Sequence, residues 1–254
     1  MANRPDWLTA RPIAHRGFHD ATSGVIENTL SAVTAATQRN FAIEVDVQLS
    51  RDGEAMVYHD GNLARLTGHN ALIDDLTVEQ LQSLQIKGTS DRIPTLWDTL
   101  QVIDGRVPIF IEIKNDDPIR PDEHLVNRTL QVLSVYQGPA AVMSFDPGVV
   151  MAVKRLEPKL PRGIIADNTT DLKYYGHLSV RERASRRNLL HWFKTQPDFV
   201  AYRIKDLPAP GPAIARAFFN CPIMTWTVRT EQDRRRASTH ADQIIFEGFN
   251  PYGG

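Results

Sequence analysis

Short apolar runs alternate with helix-period stretches from one end of the chain to the other. The runs at 12–15, 43–49, 109–113, 142–145, 163–166, 199–202, 223–228 and 243–247 read as strands. The segments at 28–38, 94–103, 122–136, 147–156, 180–193, 212–219 and 231–238 read as helices. Strands that alternate with helices are βα units, and repeated βα units build a parallel sheet. Eight such strands predict an α/β fold, a (β/α)8 TIM barrel with its site at the C-terminal ends of the strands. A doubly wound open sheet is the alternative, but no Gly-x-Gly-x-x-Gly turn follows the first strand.

One stretch breaks the rhythm. The second strand runs into Ser50-Arg51-Asp52-Gly53-Glu54, and apolar residues resume at once. An Asp-Gly turn joins antiparallel neighbours, because a parallel crossover needs a dozen residues or more. Residues 55–59 are therefore predicted as a hairpin return beside strand two. Residues 61–92 then read as an insertion over one end of the barrel, with one short helix at 77–84. With no internal repeat or linker, residues 1–254 are expected to form a single domain.

The chain has 254 residues, 42% of them hydrophobic and 23% charged, which is enough to bury a full barrel core. Its formal net charge is −1, so no global field draws it to nucleic acid or to an anionic membrane. Phosphate recognition must then come from a few local groups. The single cysteine, Cys221, can form neither an internal disulfide nor a metal cluster. Residues 1–8 show no secretory apolar stretch, and no run reaches the length of a membrane span. The expectation is a cytoplasmic protein without stable membrane insertion.

Four strand ends carry the candidate chemistry. Ala14-His15-Arg16-Gly17 places an imidazole, a phosphate-matching fork and a small residue where strand one ends. Alone, this reads sooner as a turn with an exposed histidine and a surface arginine. In Ile43-Glu44-Val45-Asp46-Val47 the two acids are two apart and share a face, roughly 6–7 Å apart at the backbone. Like charges inside a barrel are costly unless a cation neutralises them, so the pair suits a metal site better than a surface. Glu112 and Lys114 share a face in the same way, as a third oxygen ligand and a phosphate contact, or as an internal ion pair. His59-Asp60 ends the hairpin return, which by itself leaves its distance from His15 open.

Together with Glu27-Asn28-Thr29-Leu30, Asp52-Gly53, Val57-Tyr58-His59-Asp60, Leu63-Ala64-Arg65-Leu66-Thr67 and Pro94-Thr95-Leu96, these segments resemble the ordered motif series of the glycerophosphodiester phosphodiesterase family. The match is dense over residues 12–115 and continues through Ser144-Phe145-Asp146 and Thr225-Trp226-Thr227-Val228. The resemblance implies Glu44, Asp46 and Glu112 as metal ligands, and His15 and His59 as an acid–base pair. It implies Arg16 and Lys114 as contacts to the substrate phosphate, and it allows Glu27 to reach the site. Trp226 sits where it can stack on a substrate glycerol or fill core. The chain departs from the family pattern at Ile26, where proline is frequent, and at Ile245-Phe246-Glu247-Gly248-Phe249, where Thr-Asp-x-Pro is common. The second departure puts substrate choice in question.

The expected reaction is metal-dependent hydrolysis of a small-molecule glycerophosphodiester to glycerol 3-phosphate and an alcohol. All-oxygen ligation implies one divalent cation, Mg2+ or Ca2+. Two other readings are open. One is a related barrel of the lysophospholipase D or sphingomyelinase D type, acting on lipid diesters. The other is a non-catalytic binder of phosphorylated ligands, which would not need two histidines. The arginines at 181–187 and 234–236 read as solvated helix faces.

Overall fold

The computed structural model describes residues 4–115 and 123–253. Nine strands form one sheet: β1 (Ile13–Ala14), β2 (Ala42–Leu49), β3 (Ala55–Val57), β4 (Ile109–Ile113), β5 (Ala140–Ser144), β6 (Arg162–Ala166), β7 (Phe199–Arg203), β8 (Ile223–Val228) and β9 (Gln243–Phe246). Their order is β1-β9-β8-β7-β6-β5-β4-β2-β3, with β1 also paired to β2. Eight parallel strands thus close into a TIM barrel. β3 pairs antiparallel with β2, Val47 opposite Val57 and Leu49 opposite Ala55, as the Asp52-Gly53 turn predicts.

The described residues divide into two compact units, one of residues 13–114 and 123–141, the other of 4–12, 115 and 142–253. In the first, β1 and β4 flank β2 in parallel register, Ala14 opposite Ile43 and Glu112 opposite Asp46. Helices Leu30–Gln38 and Leu96–Ile103 bury Ala32, Val33, Ala36, Leu96, Leu100 and Ile103. Ile43, Val45 and Val47 are buried, and so are Glu44 and Asp46 at the alternate positions. The strand is therefore enclosed on both faces, apolar on one and acidic on the other.

Residues 61–92 hold more structure than predicted. Helix Ala64–Thr67, a 3-10 turn Ile73–Asp75 and helix Val78–Ser83 form there. Leu63, Ile73, Leu81 and Ile86 make a small core with Met56 and Tyr58 of the hairpin return. Turns of this length bury too few apolar residues to show a helical period.

Of the predicted helices only 147–156 keeps its bounds, and three of the departures are instructive. The first begins at Leu30, because Asn28 is left-handed at φ 57° and Thr29 caps the Ala32 N–H. The segment predicted at 180–193 is two helices, Val180–Arg187 and Trp192–Thr195. Leu189 takes φ 56° between them, and the Tyr202 hydroxyl donates to the Arg187 carbonyl that would have continued the ladder. The helix predicted from 122 is described over Glu123–Leu133, and Asp122 lies outside the described residues. In the second unit, β6 to β9 pair in parallel around Ile164, Phe199, Val200, Met224 and Phe246, all buried. No described helix is long and apolar enough to cross a membrane.

Candidate active site

Every charged residue proposed at the ends of β1, β2, β3 and β4 falls in the first unit, and the register explains how they meet. Glu44 and Asp46 alternate along β2, and the β2–β4 register sets Glu112 directly beside Asp46. Carboxylate oxygens of Glu44, Asp46 and Glu112 lie within 4.8 Å of one another. Glu44 and Asp46 are 1% exposed and Glu112 is 8% exposed, so water does little to screen them.

The backbone after β1 is shaped around these acids. Arg16 and Gly17 are both left-handed, at φ 55° and 80°. A Cβ on Gly17 would lie 2.8 Å from the Ala32 backbone, so only glycine lets the turn approach that helix. The strained turn aims the Arg16 N–H at Glu44 Oε2, 2.9 Å away, while its carbonyl accepts from the Asn28 N–H. Asn28 in turn donates from Nδ2 to Asp46 Oδ2 at 2.9 Å. His15 Nε2 stands 4.0 Å from Glu44 Oε2.

Two cations answer the three acids. Lys114 Nζ reaches Asp46 Oδ1 at 2.7 Å and Glu112 Oε1 at 2.6 Å. Arg16 Nε lies 3.3 Å from Asp46 Oδ2, and its Nη1 donates to Glu27 Oε1 at 2.6 Å. Because Arg16 is shared with Glu27, the acids outweigh their local cations. Burial, together with repulsion from Asp46 and Glu112, pushes Glu44 well above the usual carboxylate range. Burial also raises Glu112, against the pull of Lys114. Asp46 goes the other way: burial opposes its charge, but Lys114 and Arg16 prevail and hold it low. Burial would likewise lower Lys114, yet Asp46 and Glu112 raise it. Three crowded oxygen donors with surplus negative charge fit a hard divalent cation.

His59 belongs to a second charged group. Its Nδ1 lies 2.8 Å from Asp60 Oδ1, and that carboxyl is held below its ordinary range. An ionised carboxylate only accepts, so Nδ1 carries the proton and Nε2 keeps a free lone pair. Burial, then the charge of Lys114, lowers His59 from its usual 6.5 despite Asp46, favouring the neutral ring. Gln48 Nε2 pins the hairpin end by donating to the Tyr58 and Asp60 carbonyls, each at 2.9 Å.

Sequence reasoning named Glu27 only through the resemblance and gave Asn28, Asp60 and Arg65 no role. The cap of the helix that follows is Thr29, which leaves the Asn28 side chain to the acids. Arg65 bonds Asp60, five residues before it, and Glu27, 38 residues before it, and no spacing rule connects the second pair. Trp226 lies on β8 in the second unit. Its Nε1–H donates to the Ala201 carbonyl at 3.0 Å, and its ring meets Phe145 edge-on at 5.3 Å.

Residues 15–247 match the model of the glycerophosphoryl diester phosphodiesterase family. A glycerophosphodiester phosphodiesterase of Caldanaerobacter subterraneus subsp. tengcongensis is 31% identical over 163 residues, 60% of this chain and 65% of that protein. The chain covers less than two thirds of the length of the first curated relatives it matches. Among solved structures, an Oleispira antarctica phosphodiesterase in complex with the product sn-glycerol-3-phosphate superposes with a TM-score of 0.75 and 21% identity, covering 92% of this chain and 91% of that one. A Thermotoga maritima glycerophosphodiester phosphodiesterase gives a TM-score of 0.69 and 24% identity over 92% of each.

Proposed function

Because the chain belongs to the glycerophosphoryl diester phosphodiesterase family, we propose that it is a phosphoric diester hydrolase releasing glycerol 3-phosphate and an alcohol from glycerophosphodiesters. The observation that carries this reading is the crowding of Glu44, Asp46 and Glu112 beside Lys114, Arg16 and two histidines. Glycerol 3-phosphate as product also agrees with the ligand of the Oleispira enzyme.

In this proposal Glu44, Asp46 and Glu112 hold one divalent cation, Mg2+ or Ca2+. A cation held there would supply Lewis-acid polarisation of a phosphoryl oxygen and charge neutralisation in the transition state. Lys114 and Arg16 bind the substrate phosphate, trading part of their carboxylate contacts for its oxygens. Neutral His59, its Nδ1–H held by Asp60, accepts at Nε2 the proton of the nucleophile, either water directly or the glycerol 2-hydroxyl, whose cyclic phosphate a water then opens to glycerol 3-phosphate. His15 donates a proton to the leaving oxygen. The proposal extends to Trp226 as a stacking surface for the glycerol. It takes 1–254 as one barrel domain whose 61–92 insertion overhangs the mouth, working in the cytoplasm on small water-soluble diesters.

The test is metal-dependent hydrolysis of glycerophosphocholine and glycerophosphoethanolamine beside a long-chain lysophospholipid. We expect kcat/KM to favour the two small diesters. A preference for the lysophospholipid would promote the lipid-active reading. Turnover of none would leave a binder. His15→Ala and His59→Ala should each lower kcat by roughly 10²–10⁴-fold, and near-normal kcat in either variant would remove that histidine from its role.

A further inference from the structure

Arg65 stands on the 61–92 insertion, on a helix that is only one turn long, Ala64–Thr67. Its guanidinium nevertheless engages two carboxylates from two other segments. Nε and Nη2 donate to Asp60 Oδ2 and Oδ1 at 2.5 and 3.1 Å. Nη1 and Nη2 donate to Glu27 Oε2 and Oε1 at 2.9 and 2.8 Å. Both oxygens of both acids are thus held by one planar fork, an arrangement that fixes direction as well as distance.

Each acid passes that constraint inward. Asp60 holds the Nδ1–H of His59, and Glu27 holds Nη1 of Arg16. The turn that presents Arg65 is itself anchored. Lys87 Nζ donates to the carbonyls of Ala64 and Arg65 at 2.8 and 3.2 Å, and the Tyr58 hydroxyl donates to that of Leu63. Beneath it lies the core of Leu63, Ile73, Leu81 and Ile86.

We propose that Arg65 is a positioning residue, which sets the His59 ring through Asp60 and the Arg16 fork through Glu27. The insertion thereby serves as part of the catalytic scaffold as well as a cover. This inference rests on the reading of His59 as the proton acceptor. An ordinary surface ion pair is the competing account, since Arg65 is 46% exposed. The two differ in what they move. An exposed pair contributes little to stability and nothing to turnover. A positioning contact costs turnover, typically about 10–100-fold, with little change in stability.

The experiment compares wild type, Arg65→Ala and Arg65→Lys, all loaded with Mg2+ or Ca2+, on glycerophosphocholine. For Arg65→Ala we expect kcat to fall about 10–100-fold, with KM raised by a smaller factor and the melting temperature lowered by at most about 2–4 °C. Arg65→Lys keeps the charge but cannot fork onto two carboxylates, so it should stay impaired, while added guanidinium should partly restore Arg65→Ala. In 15N-labelled protein, the Nδ1–H signal of His59, assigned by its loss in His59→Gln, should be present in wild type and broadened or lost in Arg65→Ala. Unchanged kcat together with an unchanged imidazole signal would overturn the inference. If wild-type protein hydrolyses no diester, the proposed reaction fails, and the imidazole signal still decides whether Arg65 positions His59.

Discussion

The two charged groups of the first unit are built from the same residue types, yet burial makes them behave in opposite ways. Glu44, Asp46, Glu112 and Lys114 sit inside the strands, the three acids at most 8% exposed. Glu27, Asp60 and Arg65 form an outer rim where Arg65 is 46% exposed. In the inner group burial wins at Glu44 and Glu112, raising both carboxyls. In the rim the arginines win: burial alone would raise Glu27, but Arg65 and Arg16 bring it down to about 2. The inner group is short of positive charge and calls for a cation. The rim is already neutralised, and what it contributes is direction. Arg16 joins the two, touching Asp46 on one side and Glu27 on the other.

The largest expected effect separates the groups by chemistry. Exhaustive chelation should abolish diester hydrolysis, and added Mg2+ or Ca2+ should restore it. Calorimetric titration of the metal-free protein should show one site, lost in Glu44→Gln and retained in Arg65→Ala. Full activity after chelation, or loss of the site in Arg65→Ala with Glu44→Gln intact, would break the division between inner group and rim.

Lys114→Ala should destabilise the metal-free protein by about 3–5 kcal/mol, because it leaves Asp46 and Glu112 buried without their shared counterion. A divalent cation should recover part of that loss by taking over the neutralisation. Denaturant unfolding with and without Mg2+ measures both, and a loss below about 1 kcal/mol would mean that Lys114 behaves like a rim residue.

How much of this was visible beforehand follows from the range over which each residue acts. The period-two placing of Glu44 with Asp46, and of Glu112 with Lys114, is local, so strand geometry alone put them on shared faces. The closing Asp52-Gly53 turn is equally local, and β3 forms where it predicts. Asn28, Glu27, Asp60 and Arg65 act through contacts that depend on a left-handed Asn28 and on an insertion folding over its own small core. Neither leaves a periodic trace. The break at Leu189 was missed for a related reason, since the side chain that ends the helix, Tyr202, lies on a different element.

Protons offer a smaller test with opposite signs. Glu44 is raised, so its protonated form favours the folded state, and the stability it brings is lost as pH climbs from its ordinary 4.5 through the raised value. Glu27 and Asp60 are lowered, so their stability is present above 4.5 and 3.8 and is lost as pH falls. His59 is lowered too, and it offsets part of the Glu44 effect below 6.5. The difference in melting temperature between wild type and Glu44→Gln isolates the first contribution. In metal-free protein, wild type should lose ground to Glu44→Gln as pH rises above 4.5, and bound Mg2+ should abolish the trend. A difference that stayed flat with pH would place Glu44 in the same class as the rim.

Salt should produce the smallest effect. At about 0.15 M ionic strength charges in water are screened beyond about 8 Å, whereas a pair cut off from solvent is screened far less. Removing Arg65 should cost at most about 1 kcal/mol of stability at low salt, since its partners face solvent on one side. Raising salt from about 0.05 to about 0.5 M should shrink that difference further, because the lost attraction was already shared with counterions. The deficit of metal-free Lys114→Ala should persist over the same range, since Asp46 beside it is 1% exposed and ions in solution cannot reach it. Unfolding free energies of the two variants at both salt concentrations settle the point. A Lys114→Ala deficit that faded with salt would mean that solvent enters the inner group, and the raised Glu44 and Glu112 would then lack their physical cause.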